Sequence, residues 1–245
     1  MHHKFLDQHS GLKSFLHRLD PRTKIIAFIG IVFFVVFTPA SSPVPFFFYA
    51  ALVFSCVAFS RVPWRFVLLR ALSVLPFVLI VALPLVIRRP SGQMAALGYI
   101  LAKSVLAMVS VTVLVSTTYF ADLLKGLQEL RCPVLFLMIF SFLYRYVYLL
   151  MDEVMEMNQA RESRAISKNQ WLEIRTLANM AGNLFIRSYE KGEQVYLSMC
   201  SRGYDGRTKT LGRFAFGRND RFFLGAVLTY LVSVCFTAIF YGIRY

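Results

Sequence analysis

No carboxylate occurs between Asp20 and Asp122 of this 245-residue chain. The first four apolar segments therefore hold no acid with which to couple proton or cation movement across a membrane. Histidine is equally confined: His2, His3, His9 and His17 all precede the first apolar run, which leaves a transition metal few ligands beyond it. The adjacent pair in "MHHK" offers two imidazoles only and reads as a solvated terminus. Four cysteines, Cys56, Cys132, Cys200 and Cys235, show no CxxC or other chelating spacing, and three lie in or beside apolar segments. They read as small hydrophobes, not as a disulfide framework. A GxxxxGK[ST] phosphate loop is missing, so ATP hydrolysis by that route is not expected. The first two dozen residues are too polar for a signal peptide, and none is expected. Proline does not occur after Pro133, and Val134 to Ala181 has neither proline nor glycine. Long helices are expected there.

What is present is apolar: 57% of residues, 24 of them Phe, with a mean hydropathy of +0.58. A soluble domain of this length cannot bury that much, so the composition predicts an integral membrane protein. The net charge of +14 would also suit nucleic acid. Basic residues flanking apolar segments are, however, what the positive-inside rule and anionic headgroups select, and the membrane reading is preferred, with no nucleic-acid partner.

Six apolar segments are expected. The first, Lys24 to Phe37, belongs to a helix with Asp20 as N-cap and Pro21 as its first residue. "TPASSPVP" ends it, and Phe46 to Ser60, Phe66 to Ile87, Met94 to Thr118, Pro133 to Met151 and Phe222 to Ile243 follow. Basic residues place the N-terminal segment, the connection around Arg61 to Arg70, and Lys125 to Arg131 on the cytoplasmic side. If 152–221, with twelve Lys/Arg against nine Asp/Glu, is cytoplasmic too, one segment does not cross. Pro133 to Met151, with Arg145 in its middle, is the preferred embedded segment and the short first pair the alternative; Arg88 and Arg89 then face outward against the rule. The expected fold is all-α and polytopic, with about five (four to six) transmembrane helices and long cytoplasmic coupling helices. Its divisions are a basic cytoplasmic segment at 1–23, transmembrane helices over 24–119, a cytoplasmic connector at 120–132, an embedded helix and coupling helices over 133–221, and a last transmembrane helix at 222–245. Within 133–221, "SKNQ" at Ser167 to Gln170 fits a capping box, Ser at N-cap and Gln at N3, so one helix is expected to break and another to start there. A further helix is expected from about Leu184 to Ser201, with a seam of Phe185, Tyr189, Gly192, Tyr196 and Met199 suited to a packed, partly exposed surface.

Two stretches stand apart from this oil: "SMCSRGYDG" at Ser198 to Gly206 and a looser copy, "ARESRAIS", at Ala160 to Ser167. Aligning Arg164 with Arg202 sets them 38 residues apart. Each arginine has small neighbours, Ser163 and Ala165 or Ser201 and Gly203, so a partner's backbone can approach while a planar, permanently charged fork reaches in. Gly203 is placed to end its helix in a left-handed residue, leaving Arg202 at the tip.

Taken with "LHRLDPRTK" (Leu16 to Lys24), "STTYFADLLKGLQELRCP" (Ser116 to Pro133), "FLYRYVYLLMDEVMEMNQARESRA" (Phe142 to Ala165) and "GNLFIRSYEKGEQVYLSMCSRGYDG" (Gly182 to Gly206), the chain resembles the transmembrane T component of energy-coupling factor transporters, CbiQ type, associated with cobalt and nickel uptake. That family carries a pair of Ala-Arg-Gly-like triplets on cytoplasmic coupling helices. By resemblance Ser163-Arg164-Ala165 and Ser201-Arg202-Gly203 fill those places, the first ending in Ala instead of Gly. The resemblance implies a non-catalytic, cofactor-free, multi-pass subunit of a bacterial cytoplasmic (inner) membrane. It also implies two ATPase subunits, each receiving one arginine, and a separate substrate-binding S component, with or without a small accessory membrane subunit. An ordinary ABC-importer permease and a membrane scaffold that docks a cytoplasmic protein are the rival readings.

Overall fold

The computed structural model describes residues 14, 16–38, 43–60, 62–88, 93–164, 170–204, 206 and 217–243. Among these every regular element is helical. Two compact units result, Met1–Arg131 with Gly212–Tyr245, and Cys132–Leu211.

The first unit holds a 3-10 turn at Leu16–Arg18, then α1 (Pro21–Phe37), α2 (Val44–Ser60), α3 (Trp64–Arg88), α4 (Gln93–Thr117) and α5 (Phe120–Glu129). The second holds α6 (Val134–Arg164) and α7 (Gln170–Ser201), and α8 (Arg218–Ile243) returns to the first. The start of α1 follows from its sequence: the Asp20 carboxylate accepts the Arg22 N–H at 3.0 Å, and Pro21 takes the first helical position, where no N–H is needed. The helix ends at Thr38, whose hydroxyl and N–H both donate to the Phe34 carbonyl.

Helix α1 is the hub, packing on α2, α4, α5 and α8. Ile25, Phe28, Ile31 and Val35 meet Tyr49 and Val53 of α2, Val113 of α4 and Leu231 of α8. Its other side leaves Ile29, Phe33 and Phe37 exposed, which is what lipid contact asks of a helix apolar all round. Since lipid tails are as apolar as these side chains, close packing and hydrogen bonds must order the bundle. The Tyr230 hydroxyl donates to the Phe48 carbonyl at 3.0 Å, and the Tyr49 and Thr38 hydroxyls stand 3.0 Å apart. Lys103, in α4, donates to the Val36 and Thr38 carbonyls at 2.9 and 2.7 Å. With no carboxylate on α1 to α4, this ammonium is met by the electronegative carbonyl end of α1. Interhelical hydrogen bonds in membranes average about 0.6 kcal/mol, so the set orients the helices more than it stabilises them.

Four helices, α3, α4, α6 and α8, contain stretches long and apolar enough to cross a membrane; α2 is a shorter apolar helix. The chain is thus an all-helical, polytopic membrane protein. Most segments fall within a few residues of expectation, and Pro76 and Pro84 pass inside α3, as membrane helices allow. Residues 120–132, the expected connector, contain α5, whose Leu123 and Leu127 pack on the core while Asp122 and Lys125 form an ion pair. One expectation needs correction. The helix expected from the capping box and the further one expected from about Leu184 are a single helix from Gln170, with Gly182 in its interior. A glycine inside a helix costs about 1 kcal/mol, too little to interrupt 32 residues of otherwise helix-compatible sequence. The capping serine Ser167 lies outside the described residues.

Candidate functional site

Helices α6 and α7 run antiparallel. Glu153 of α6 pairs with Arg187 of α7, and Tyr204, just past α7, donates its hydroxyl to the Met138 sulfur near the start of α6, at 2.9 Å. The partner's number rises from 187 to 204 as the α6 number falls from 153 to 138, which only opposed directions allow. Consequently Arg164, the last residue of α6, and Arg202, just beyond α7, occupy opposite ends of the pair. At about 1.5 Å per residue they are separated by roughly 35–40 Å along it.

The local geometry of the two triplets is the same where both are described. Ser163 Oγ donates to the Gln159 carbonyl and Ser201 Oγ to the Leu197 carbonyl, each at 2.9 Å. Each serine hydroxyl is turned back onto its own helix, and the arginine that follows is exposed. Among the described residues neither guanidinium is held in an ion pair. Ala165 lies outside the described residues.

The second triplet ends its helix through a full set of capping bonds. Gly203 has φ +77°, its N–H donates to the Cys200 carbonyl at 3.0 Å, and the Tyr204 N–H donates to the Met199 carbonyl at 3.1 Å. This is the Schellman arrangement, which favours glycine at the left-handed position. It leaves Arg202 as the outermost residue of the turn. A hydrogen bond with the Cys200 thiol holds the Tyr196 phenol of the same helix above its ordinary pKa.

The seam predicted on α7 is present but uncovered: Phe185 is 72%, Tyr189 69% and Tyr196 58% exposed. Helix α6 also buries little, Leu137 being its buried residue among those described. Around Arg145, itself exposed, Phe142 stacks on Tyr146 and Tyr144 meets Tyr148 edge to face, with the guanidinium 5.9 Å from the Tyr146 ring. None of the arginine-tip geometry brings together a nucleophile, an acid–base pair or a metal-ligand cluster among the described residues. What it can do is reach.

A different polar cluster escaped the reading of the sequence. Asp220, at the start of α8, accepts the Asp20 N–H at 2.9 Å and the Gly217 N–H at 2.9 Å. Lys24 donates to the Thr117 and His17 carbonyls, and Arg22 pairs with Glu129 of α5. The charges of "LDPRTK" at the start of an apolar helix mark one side of it, and nothing local marks Asp220 as the partner.

Comparison with known proteins gives the chain its relatives. A relative of unassigned function from Methanocaldococcus jannaschii is 36% identical over 102 residues, 42% of this chain and 38% of the relative. The energy-coupling factor transporter transmembrane protein EcfT of Limosilactobacillus fermentum is 26% identical over 223 residues, 78% of this chain and 80% of the relative. The nickel permease LarQ of Lactiplantibacillus plantarum is 28% identical over 119 residues, 48% and 43% of the two chains. The chain thus spans less than half the length of two of these relatives and four-fifths of the third. Residues 12–211 match the CbiQ family, described as cobalt transport proteins, and the chain belongs to that family, the transmembrane components of energy-coupling factor transporters.

Proposed function

We propose that this chain is the non-catalytic energy-coupling subunit of an ATP-driven importer in a cytoplasmic membrane, and that Arg164 and Arg202 each enter a groove on one of two ATPase subunits. The observation that carries this reading is the placement of two exposed, similarly presented guanidiniums at opposite ends of one helical pair. Points that far apart cannot share a socket, but they suit a pair of them. Closure of an ATPase pair on ATP would then act on α6 and α7 as on two handles. A planar fork suits each contact because it stays charged and can grip a carboxylate in two places.

The uncovered aromatic and aliphatic side chains of α6 and α7 suit a substrate-binding S component that is a separate protein. Arg145 within its tyrosine belt favours an α6 whose first half lies at the membrane interface, because a lipid-facing arginine at mid-bilayer is costly whereas tyrosines collect at headgroup depth. The names of the relatives point to cobalt or nickel as cargo. Co-expression with candidate ATPases tests the reading: the parent chain should capture an ATPase pair and support Co2+ or Ni2+ uptake, and the Arg164→Ala/Arg202→Ala chain should do neither. A scaffold would capture no ATPase. An ordinary permease would itself hold the metal, so calorimetry of the purified chain with His2 and His3 replaced decides that case: a one-to-one site of micromolar or better affinity would install the permease reading.

A further inference from the structure

We infer that Arg22, Gly126 and Glu129 are positioning residues for coupling: they clamp α5 onto the first turn of α1 and make that crossing the joint through which load on α5 reaches the rest of the membrane unit. The inference rests on the proposed coupling role and adds the part of the membrane unit that carries the motion.

Four observations carry it. First, α5 crosses α1 at van der Waals contact, for a Cβ at Gly126 would stand 3.0 Å from Ile25 Cδ1, 3.2 Å from Pro21 Cβ and 3.4 Å from the Arg22 nitrogen. A Cβ there is seated only if these neighbours yield by a few tenths of an ångström. Second, the Arg22 guanidinium pairs with the Glu129 carboxylate at the last residue of α5, so the helix is held near its end as well as at its middle. Third, the turn of α1 that receives it is anchored to distant elements, through Asp220 on the Asp20 N–H and through Lys24 on the Thr117 carbonyl of α4. A push on α5 is thereby a push on α1, α4 and α8 together. Fourth, α5 closes in a defined turn: Leu130 and Arg131 donate back to the Gly126 and Gln128 carbonyls, and Arg131 stands at φ +63°.

The test uses the chain assembled with its ATPases and S component, with native cysteines replaced. Glu129→Gln should lower Co2+ or Ni2+ uptake by about tenfold, a typical coupling loss, while ATPase capture stays at the parent level. Hydrogen exchange should quicken in residues 120–129 and not in α6 or α7. Adding Pro21→Cys with Gly126→Cys places two sulfurs where the Cβ atoms are 3.2 Å apart, slightly inside the usual ~3.5–4.5 Å disulfide range. Oxidation should then restore uptake in the Glu129→Gln background, and reduction should remove it again. Parental uptake by Glu129→Gln, loss of its ATPase capture, or an oxidised cross-link that fails to restore transport would each overturn the joint. Failure of the coupling role itself would show on a different variant, as parental capture and uptake by Arg164→Ala/Arg202→Ala.

Discussion

The ammonium of Lys24, 2% exposed near the start of α1, donates at 2.9 Å to the main-chain carbonyl of Thr117, the last residue of α4. Ninety-three residues separate them in sequence. Because a C-terminal carbonyl has no partner within its own helix, Lys24 finishes one helix while starting another. Lys24→Met should leave Thr117 unmet in a dry place. Losing a hydrogen bond to a charged group costs about 1.5–3 kcal/mol, or roughly 3–12 °C of melting temperature for a chain of this size. Circular dichroism of the detergent-solubilised variant checks this, and an unchanged melting curve would remove Lys24 from the account.

For the arginine tips, Arg164→Ala and Arg202→Ala should each weaken ATPase capture, and the double change should abolish uptake while the chain remains inserted. Removing one side of a buried charge-assisted contact at an interface costs about 2–5 kcal/mol. Arg→Lys at either position should also be impaired, since an ammonium cannot reproduce the fork. Pull-down titrations with quantified membrane content separate lost contact from lost protein.

The cap at Gly203 makes a narrower prediction. A residue with a Cβ at φ +77° pays about 1–2 kcal/mol, so Gly203→Ala should fray the last turn of α7 and misdirect Arg202 without unfolding the rest. Faster amide exchange at positions 203 and 204 alone is the expected signature, and Gly203→Asn should be milder. The converse holds at Arg131, where Arg131→Gly should relax a left-handed residue and raise stability by about 1 kcal/mol.

Topology is tested by labelling. A single cysteine in place of Lys191, exposed on α7, on a cysteine-free chain in intact cells should react with a permeant reagent only. Reaction with an impermeant one would place α7 outside and dismiss the cytoplasmic reading of 152–221.

Legibility followed the range of the interaction. The start of α1 could be read because Asp20 and Pro21 act on the two residues beside them. The end of α7 could be read because only glycine takes φ +77° without strain. The Asp20–Asp220 bond spans 200 residues, and no local pattern announces it. Helix α5 was hidden by its ten-residue length and mixed composition. The continuity of α7 through Gly182 was hidden because a glycine weakens a helix without stopping it. At the candidate site both arginines and their serine neighbours were readable from the repeated triplet, whereas their placement at opposite ends of one antiparallel pair required the Glu153–Arg187 and Met138–Tyr204 contacts.

The shortness of α1 and α2 has a consequence for the surrounding lipid. Each has 17 residues, about 26 Å of helix against a hydrocarbon layer of about 30 Å, whereas α3 and α4 with 25 residues each reach about 37 Å. Where the short pair crosses, hydrophobic mismatch therefore differs around the protein: the bilayer must thin beside that pair, where Phe33, Phe47 and Phe54 are exposed, while the apolar stretches of α3 and α4, 19 and 21 residues, about 29–32 Å, match it. Each ångström of mismatch costs a fraction of a kcal/mol. A membrane that meets both edges is wedge-shaped in section, and acyl-chain length becomes a variable to which this bundle responds.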